Sequence, residues 1–176
     1  DKDGVEQGDQ GKLRAPHDPN RDYSGKSIYP AVAALREHVP RWSSGRLRVA
    51  LDLHCPYIRG ARNEVIYFVG SRNERVWSEV QRFSEMLESL PPRGLPYHTR
   101  DNLPYGQEWN TAANYGDGMS MAGWAAGLPG ARVVATIEIP YANASGKAVT
   151  PESARAFGRD LCGAIHHYLA QKAHRD

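Results

Sequence analysis

The sequence predicts an α/β fold in which helices cover a sheet, and two observations carry this prediction. Apolar residues recur at every second position in some short segments and at every third or fourth position in longer ones, which are the periods of strands and of amphipathic helices. These segments follow one another in the order helix, strand, strand, helix, strand, helix, a pattern typical of a sheet flanked by helices. The chain of 176 residues is long enough for one domain with a sizeable core.

Three segments are predicted to be helical. Residues 27–40 have apolar positions at helical spacing, with Ser27 as a candidate cap and Pro40 as the expected end. Residues 71–90 carry an apolar stripe that predicts one buried face. The residues of that stripe are Val76, Val80, Phe83 and Leu87. Residues 150–176 begin with a threonine cap and a proline at the first helical position, so the chain is expected to end in a helix.

Three segments are predicted to be strands. Residues 46–54 alternate apolar and polar side chains, and residues 64–70 and 131–140 are short apolar runs that end at glycine or proline. Residues 1–27 lack apolar periodicity and read as an irregular loop. Residues 91–130 are rich in Pro, Gly and Asn and are expected to hold at most one short helix. A loop region of that length inside a domain is usually functional.

The charge and cysteine content exclude several classes of protein. Lys and Arg number 22 against 20 for Asp and Glu, for a net charge of +2, which is too balanced to suggest a nucleic-acid or membrane partner. No apolar run has the length needed to cross a bilayer. Two cysteines do not form a disulfide framework, so the compartment cannot be read from them. The chain opens on a polar loop without an initiator Met, and we expect a further segment upstream.

Three polar features depart from the apolar pattern of the chain. His54 ends the first predicted strand, Glu138 lies between two isoleucines in the third, and Asn20 and Arg21 are adjacent in a proline-containing loop. Ligands bind at the carboxyl ends of strands in α/β sheets, and a buried glutamate is costly unless it is paired or has a chemical role. Each feature also has an ordinary explanation, because the histidine can be structural, the glutamate can face water and the loop can be a solvated turn.

Taken together, these segments resemble the M14 family of zinc carboxypeptidases. Residues 1–23 resemble that family's Asp-Gly loop leading to an Asn-Arg pair, and ALDLH is similar to its strand ending in the third zinc ligand. ATIEIP resembles the strand that presents the catalytic glutamate, and NYGDGMSMAGW resembles the mobile tyrosine loop. The resemblance implies a mixed-sheet α/β sandwich of the zinc carboxypeptidase type. It also implies that residues 1–176 are the C-terminal portion of one catalytic domain, which would be incomplete in this chain.

The resemblance assigns a role to each matching residue. His54 would bind Zn²⁺, and Glu138 would take the proton of a water that the metal makes acidic. Arg21 would grip the terminal carboxylate of a peptide with its planar fork, and Asn20 would add a donor. Tyr115 would close over the bound substrate. The implied reaction is hydrolysis of the C-terminal amide bond of a peptide.

Two further positions concern the scissile carbonyl and the choice of terminal residue. The resemblance makes Arg14 the candidate for polarising the carbonyl, with Lys12 as the rival. Ala122 would occupy the position that selects the terminal side chain. Its neighbours are uncharged, which argues against a basic terminal residue, although Asp117 leaves the matter open.

The chain departs from the family pattern in two respects. No histidine has a glutamate three residues further on, so the family's His-x-x-Glu motif is expected upstream and His54 is the one zinc ligand of three in this chain. We therefore predict that the isolated chain binds zinc poorly or not at all. Pro56 stands where the family has an aromatic residue, near a cis peptide bond. Proline lowers the cis penalty to about 1 kcal/mol, which predicts a cis Cys55–Pro56 bond.

Two alternative functions remain. One is an amidohydrolase similar to aspartoacylase or succinylglutamate desuccinylase, which acts on a small acylated amino acid and shares an Asn-Arg pair and an Asp-Leu-His strand. Those enzymes lack the tyrosine loop, so residues 114–124 favour the peptidase. The other is a non-catalytic module that binds carboxylates without a metal.

Overall fold

The computed structural model describes residues 6, 8, 13–116 and 118–173, with the side chains of residues 172 and 173 excepted. It confirms the predicted α/β class. The described helices are α1 (Pro30–Ser43), α2 (Glu74–Ser89), α3 (Ala112–Tyr115), α4 (Met121–Ala125) and α5 (Pro151–Ala173). The described strands are β1 (Val49–His54), β2 (Tyr67–Phe68), β3 (Val133–Glu138), β4 (Asn143–Ala144) and β5 (Lys147–Ala148). Pro19–Arg21 and Thr99–Asp101 form short 3₁₀ turns.

The main sheet is mixed, with the strand order β1-β3-β2. β1 runs parallel to β3, and β2 runs antiparallel to it. Paired residues in neighbouring strands share a face of the sheet, so His54, Glu138 and Tyr67 form one row across its end. β4 and β5 form a separate hairpin. The register of β1 on β3 is therefore what brings the two predicted site residues of these strands together.

The core lies between the sheet and the helices α2 and α5. The predicted stripe of α2 is confirmed, since all four of its residues are buried. Phe83 lies at its centre and packs edge-on against Phe68 of β2 and Tyr168 of α5. Asn73 caps α2 by accepting hydrogen bonds from the backbone N–H groups of residues 75 and 76. These local signals explain why the helix begins and packs where the sequence predicts.

The first helix differs from its prediction at both ends. α1 begins after Tyr29 and not after Ser27, whose hydroxyl donates to the carbonyl of Asp22. Pro40 does not stop the helix, although a proline inside a helix lacks one backbone hydrogen bond. The helix ends instead at Ser44, which adopts a left-handed conformation with a φ of 46° and donates its N–H to the Pro40 carbonyl.

Three further predictions were incomplete or wrong. Residues 91–130 hold two short α-helices and a 3₁₀ turn rather than at most one helix. The β4–β5 hairpin was missed, although Ser145 and Gly146 both take the positive φ that a tight hairpin turn requires. The Cys55–Pro56 peptide bond is trans, so the predicted cis bond was wrong. Proline reduces the cis penalty without reversing it, because trans remains favoured by about 0.5–1 kcal/mol.

No helix in the described ranges is long and apolar enough to cross a membrane.

Candidate functional site

His54 and Glu138 lie opposite each other at the carboxyl ends of the parallel strands β1 and β3. The Glu138 side chain is buried, with 7% of its surface exposed, whereas the His54 side chain is 37% exposed. Tyr67 lies on the other side of Glu138 in the same row and is also buried. Glu138 in the middle of the row is therefore shielded from water, whereas the imidazole of His54 at one end is partly accessible.

Carboxylates surround the His54 imidazole. Its Nε2 atom lies 3.2 Å from Oδ2 of Asp52. This hydrogen bond raises the pKa of His54, partial burial lowers it, and the charges of Asp52, Glu138 and Asp18 raise it further, so that the net shift is upward. Nε2 is thus held by Asp52, and Nδ1 is without a hydrogen bond to any residue that the structure describes.

Asn20 joins the loop, the strand and helix α4. The side chain of Asp18 accepts the backbone N–H of Asn20 at 2.8 Å and so shapes the turn that presents it. The Asn20 Nδ2 donates to Asp52 at 3.0 Å, and its Oδ1 accepts the N–H of Met121 at 2.8 Å. Its role as a substrate donor stays a prediction. What it does in the structure is to hold the Asn-Arg pair against β1.

Arg21 extends from the same turn and stacks on the ring of Tyr115, with the guanidinium carbon 5.3 Å from the ring centroid. One terminal nitrogen donates to the carbonyl of Asn20 at 2.9 Å. The backbone of Arg21 also accepts the N–H of Met119 at 3.3 Å. The predicted clamp and the predicted tyrosine loop are therefore in direct contact.

Tyr115 is anchored by a residue that the sequence did not single out. Its hydroxyl donates to Oδ1 of Asn110 at 2.7 Å, and Nδ2 of Asn110 donates to the carbonyls of Gly70 and Leu103. Burial raises the pKa of Tyr115, the charge of Arg21 lowers it, and the net shift is upward. No sequence pattern marks Asn110, because its partners lie in separate segments.

The Glu138 charge also acts on two further side chains, Tyr67 and Cys55. Burial and the charge of Glu138 raise the pKa of Tyr67, although its hydrogen bond with Trp109 acts in the opposite direction. Burial raises the pKa of the Cys55 thiol, its hydrogen bond with Tyr141 lowers it, and the Glu138 charge raises it. Burial is the largest cause of both pKa shifts, and the Glu138 charge adds to each.

The remaining predicted site residues lie outside the row of His54, Glu138 and Tyr67. Arg14 is partly buried in the irregular segment before the Pro19–Arg21 turn, and its role stays a prediction. Ala122 packs against the core from α4, one residue after the Met121 N–H that binds Asn20. Lys12 and Asp117 lie outside the described residues.

The described residues provide few candidate metal ligands at this site. In the described ranges, no group of three His, Cys, Asp or Glu side chains is arranged to hold a metal ion. The open Nδ1 of His54 fits one position of a zinc site, since a metal-binding histidine usually donates its other ring N–H to a carboxylate or carbonyl. No model of a known protein family matches the chain, and comparison with curated proteins finds no significant match.

Proposed function

We propose that the protein is a zinc-dependent metallocarboxypeptidase of the M14 type, which hydrolyses the C-terminal amide bond of a peptide. The observation that carries the proposal is the β1–β3 register, which sets His54 opposite the buried Glu138. The Asn20–Arg21 pair adds support because Asn20 is bonded to Asp52 on the same strand end. His54 and Glu138 are thus adjacent across the sheet, and Arg21 directly follows the residue that contacts Asp52.

Each of these side chains has a distinct task. Arg21 binds the terminal carboxylate of the peptide, for which a planar guanidinium offers two parallel N–H donors. The centroid of the Tyr115 ring lies 5.3 Å from the guanidinium carbon, and the ring helps to hold the side chain in place, so less freedom is lost when the carboxylate binds. Tyr115 is assigned to closing over the bound substrate, Ala122 to selecting the terminal side chain and Arg14 to polarising the scissile carbonyl.

Glu138 serves as the general base. Its carboxylate lies in a poorly hydrated position, and it accepts a proton from the attacking water and returns it to the leaving amine. His54 would hold zinc through Nδ1, with the remaining ligands supplied from outside the described residues. When bound, the metal supplies a Lewis acid and lowers the pKa of water to about 7.

A hydrolysis assay of the full-length protein with added Zn²⁺ tests the proposal. A short peptide with an apolar C-terminal residue is expected to lose that residue, and a chelator is expected to stop the reaction. Cleavage of an N-acyl amino acid without peptide cleavage would instead favour the amidohydrolase. Binding of a carboxylate with no hydrolysis of either substrate would favour the non-catalytic module.

The Glu138→Gln variant tests the role of the base, because it keeps the shape of the side chain and removes its basicity. We expect kcat to fall by about 10²- to 10⁴-fold with little change in KM. Glu37→Gln is the matched control, since Glu37 is exposed and pairs with Arg41 on α1. An unchanged kcat in Glu138→Gln would rule out this assignment.

A further inference from the structure

Asn20, Asp52 and His54 bring three polar atoms into a triangle at the end of β1. Oδ2 of Asp52 lies 3.0 Å from Nδ2 of Asn20 and 3.2 Å from Nε2 of His54, and the two nitrogens are 3.2 Å apart. The Asp52 side chain is mostly buried, with 17% of its surface exposed. The positions of the hydrogens decide which of these three contacts are hydrogen bonds.

Two arrangements of the hydrogens fit the triangle. In the first, Nε2 of His54 carries the imidazole proton, and both nitrogens donate to Asp52. In the second, the proton is on Nδ1 of His54, and Asn20 uses its two N–H groups to donate to Asp52 and to Nε2. A neutral imidazole has one donor nitrogen and one acceptor nitrogen, so the two arrangements exclude each other.

Electrostatics favours the first arrangement. An ionised carboxylate can only accept hydrogen bonds, so the second arrangement would place the lone pair of His54 Nε2 against the charged oxygen of Asp52. The first arrangement has two donors on that oxygen, and hydrogen bonds to a charged acceptor are the stronger kind. Asn20 cannot reverse its amide without loss, because its Oδ1 is bonded to the N–H of Met121.

We propose that Asp52 is a positioning residue that keeps the proton of His54 on Nε2 and leaves the Nδ1 lone pair available to a metal ion. The use of that lone pair rests on the proposed function, whereas the tautomer is a property of the chain itself. The same carboxylate oxygen holds Asn20. Asp52 therefore also links the carboxylate clamp to the metal-binding imidazole.

Nitrogen-15 NMR of the histidine side chains tests the tautomer without any metal. The spectra are recorded at alkaline pH, where the imidazole is neutral, and the wild-type protein is expected to show His54 protonated on Nε2. In Asp52→Ala, the Asn20 amide becomes the neighbour of Nε2 and donates to it, so the proton is expected to move to Nδ1. The double variant Asn20→Ala/Asp52→Ala is expected to lose this preference for Nδ1.

Two conservative variants separate positioning from a general structural effect. Asp52→Asn retains an acceptor oxygen and is expected to keep the proton on Nε2. Thr136→Val removes a hydroxyl that lies 3.5 Å from the same carboxylate, and it is expected to leave the tautomer unchanged. A wild-type His54 protonated on Nδ1, or an Asp52→Ala variant that folds and keeps the proton on Nε2, would overturn the proposal. If Asp52→Ala does not fold, a wild-type Nδ1 proton still overturns the proposal, and a downfield-shifted Nε2–H proton, which a hydrogen bond to a charged acceptor produces, supports it.

Calorimetric titration of the full-length protein with Zn²⁺ alone tests the consequence for the metal. Loss of the carboxylate partner of a ligating histidine typically costs about 10- to 100-fold in metal affinity, and we expect that loss in Asp52→Ala. An equal affinity in wild type and Asp52→Ala would contradict the link to the metal. If the wild type shows the expected tautomer and binds no zinc, the positioning by Asp52 stands and the proposed function fails.

Discussion

The hydroxyl of Tyr115 donates a hydrogen bond to Oδ1 of Asn110 across 2.7 Å. Asn110 is completely buried and donates in turn to the carbonyls of Gly70 and Leu103. One amide group thus ties the tyrosine to the segment that follows β2. The stacking of Arg21 on Tyr115 extends this link to the predicted carboxylate clamp.

Replacing Asn110 with alanine is expected to destabilise the fold and release Tyr115. The substitution leaves the buried Gly70 carbonyl without its Asn110 donor, whereas the Leu103 carbonyl keeps the N–H of Gly70, and an unsatisfied buried polar group costs about 1–3 kcal/mol. The free energy of unfolding, measured with urea, is expected to fall by at least that amount. Tyr115→Phe is expected to cost less, because it removes one hydrogen bond of Asn110, whereas Asn110→Ala removes three. Equal losses in the two variants would show that Asn110 does not hold this segment.

Gly118 allows the tyrosine loop to approach Arg21 closely. A Cβ atom at Gly118 would lie 2.6 Å from Cβ of Arg21 and 2.8 Å from its carbonyl oxygen, so Gly118→Ala must displace one of the two segments. We expect its affinity for hippurate, a simple carboxylate probe, to fall at least tenfold by calorimetry. Gly158→Ala is the matched control, because a Cβ there meets nothing within 4 Å. That control is expected to stabilise α5 by about 0.5–1 kcal/mol without changing the affinity.

The shape of the Arg21 guanidinium is expected to matter as well as its charge. Lysine cannot form two parallel hydrogen bonds with a carboxylate or stack flat on the Tyr115 ring. We therefore predict that Arg21→Lys weakens hippurate binding by about 10- to 100-fold, which corresponds to roughly 1.4–2.7 kcal/mol. Arg41→Lys, on the exposed face of α1, serves as the control. If both variants bind the probe like the wild type, Arg21 is not the clamp.

Asp22 is expected to make stability depend on pH in the acid range. Burial raises the pKa of this carboxyl, but hydrogen bonds from Tyr29, His17 and Ile28 outweigh that effect and hold the pKa below its ordinary value of 3.8. A pKa lowered by folding means that Asp22 stabilises the fold fully above about pH 4, and that this stabilisation is lost as the pH falls below 3.8 toward the folded pKa.

The Asp22→Asn variant isolates that contribution. At neutral pH it is expected to be less stable than the wild type, by about 1–3 kcal/mol for a buried, hydrogen-bonded charge. The difference should shrink when urea unfolding is repeated near pH 3. Glu37→Gln provides the comparison, because Glu37 is exposed on α1. If the difference in the free energy of unfolding between Asp22→Asn and the wild type does not change with pH, the proposed contribution of the Asp22 charge is wrong.

Local patterns in the sequence predicted the elements well where those patterns were complete. The four apolar positions of α2 are all buried, and β1 ends at His54 as predicted, whereas β3 ends at Glu138, two residues before the predicted end at Pro140. Helical periodicity and capping act over a few residues, so a single segment contains all the information needed. Pro40 shows the limit of such signals, since α1 continues to Ser43 although this proline removes one backbone hydrogen bond.

The partners within the candidate site could not be predicted in the same way. Asn20 contacts Asp52, which is 32 residues away, and Met121, which is 101 residues away. Asn110 is marked by no motif, and its role depends on two carbonyls in other segments. Such contacts follow from strand register and loop packing, which a one-dimensional pattern does not contain.

The sequence by itself determined the α/β class, the buried face of α2 and the end of β1 at His54, because periodicity and capping are local properties of a chain. Only the tertiary structure decided that Asp52 faces both Asn20 and His54, that Tyr115 is tied to Asn110 and that the Cys55–Pro56 bond is trans. These outcomes depend on how the strands align and which buried polar groups must be satisfied, and both are settled when distant segments pack together.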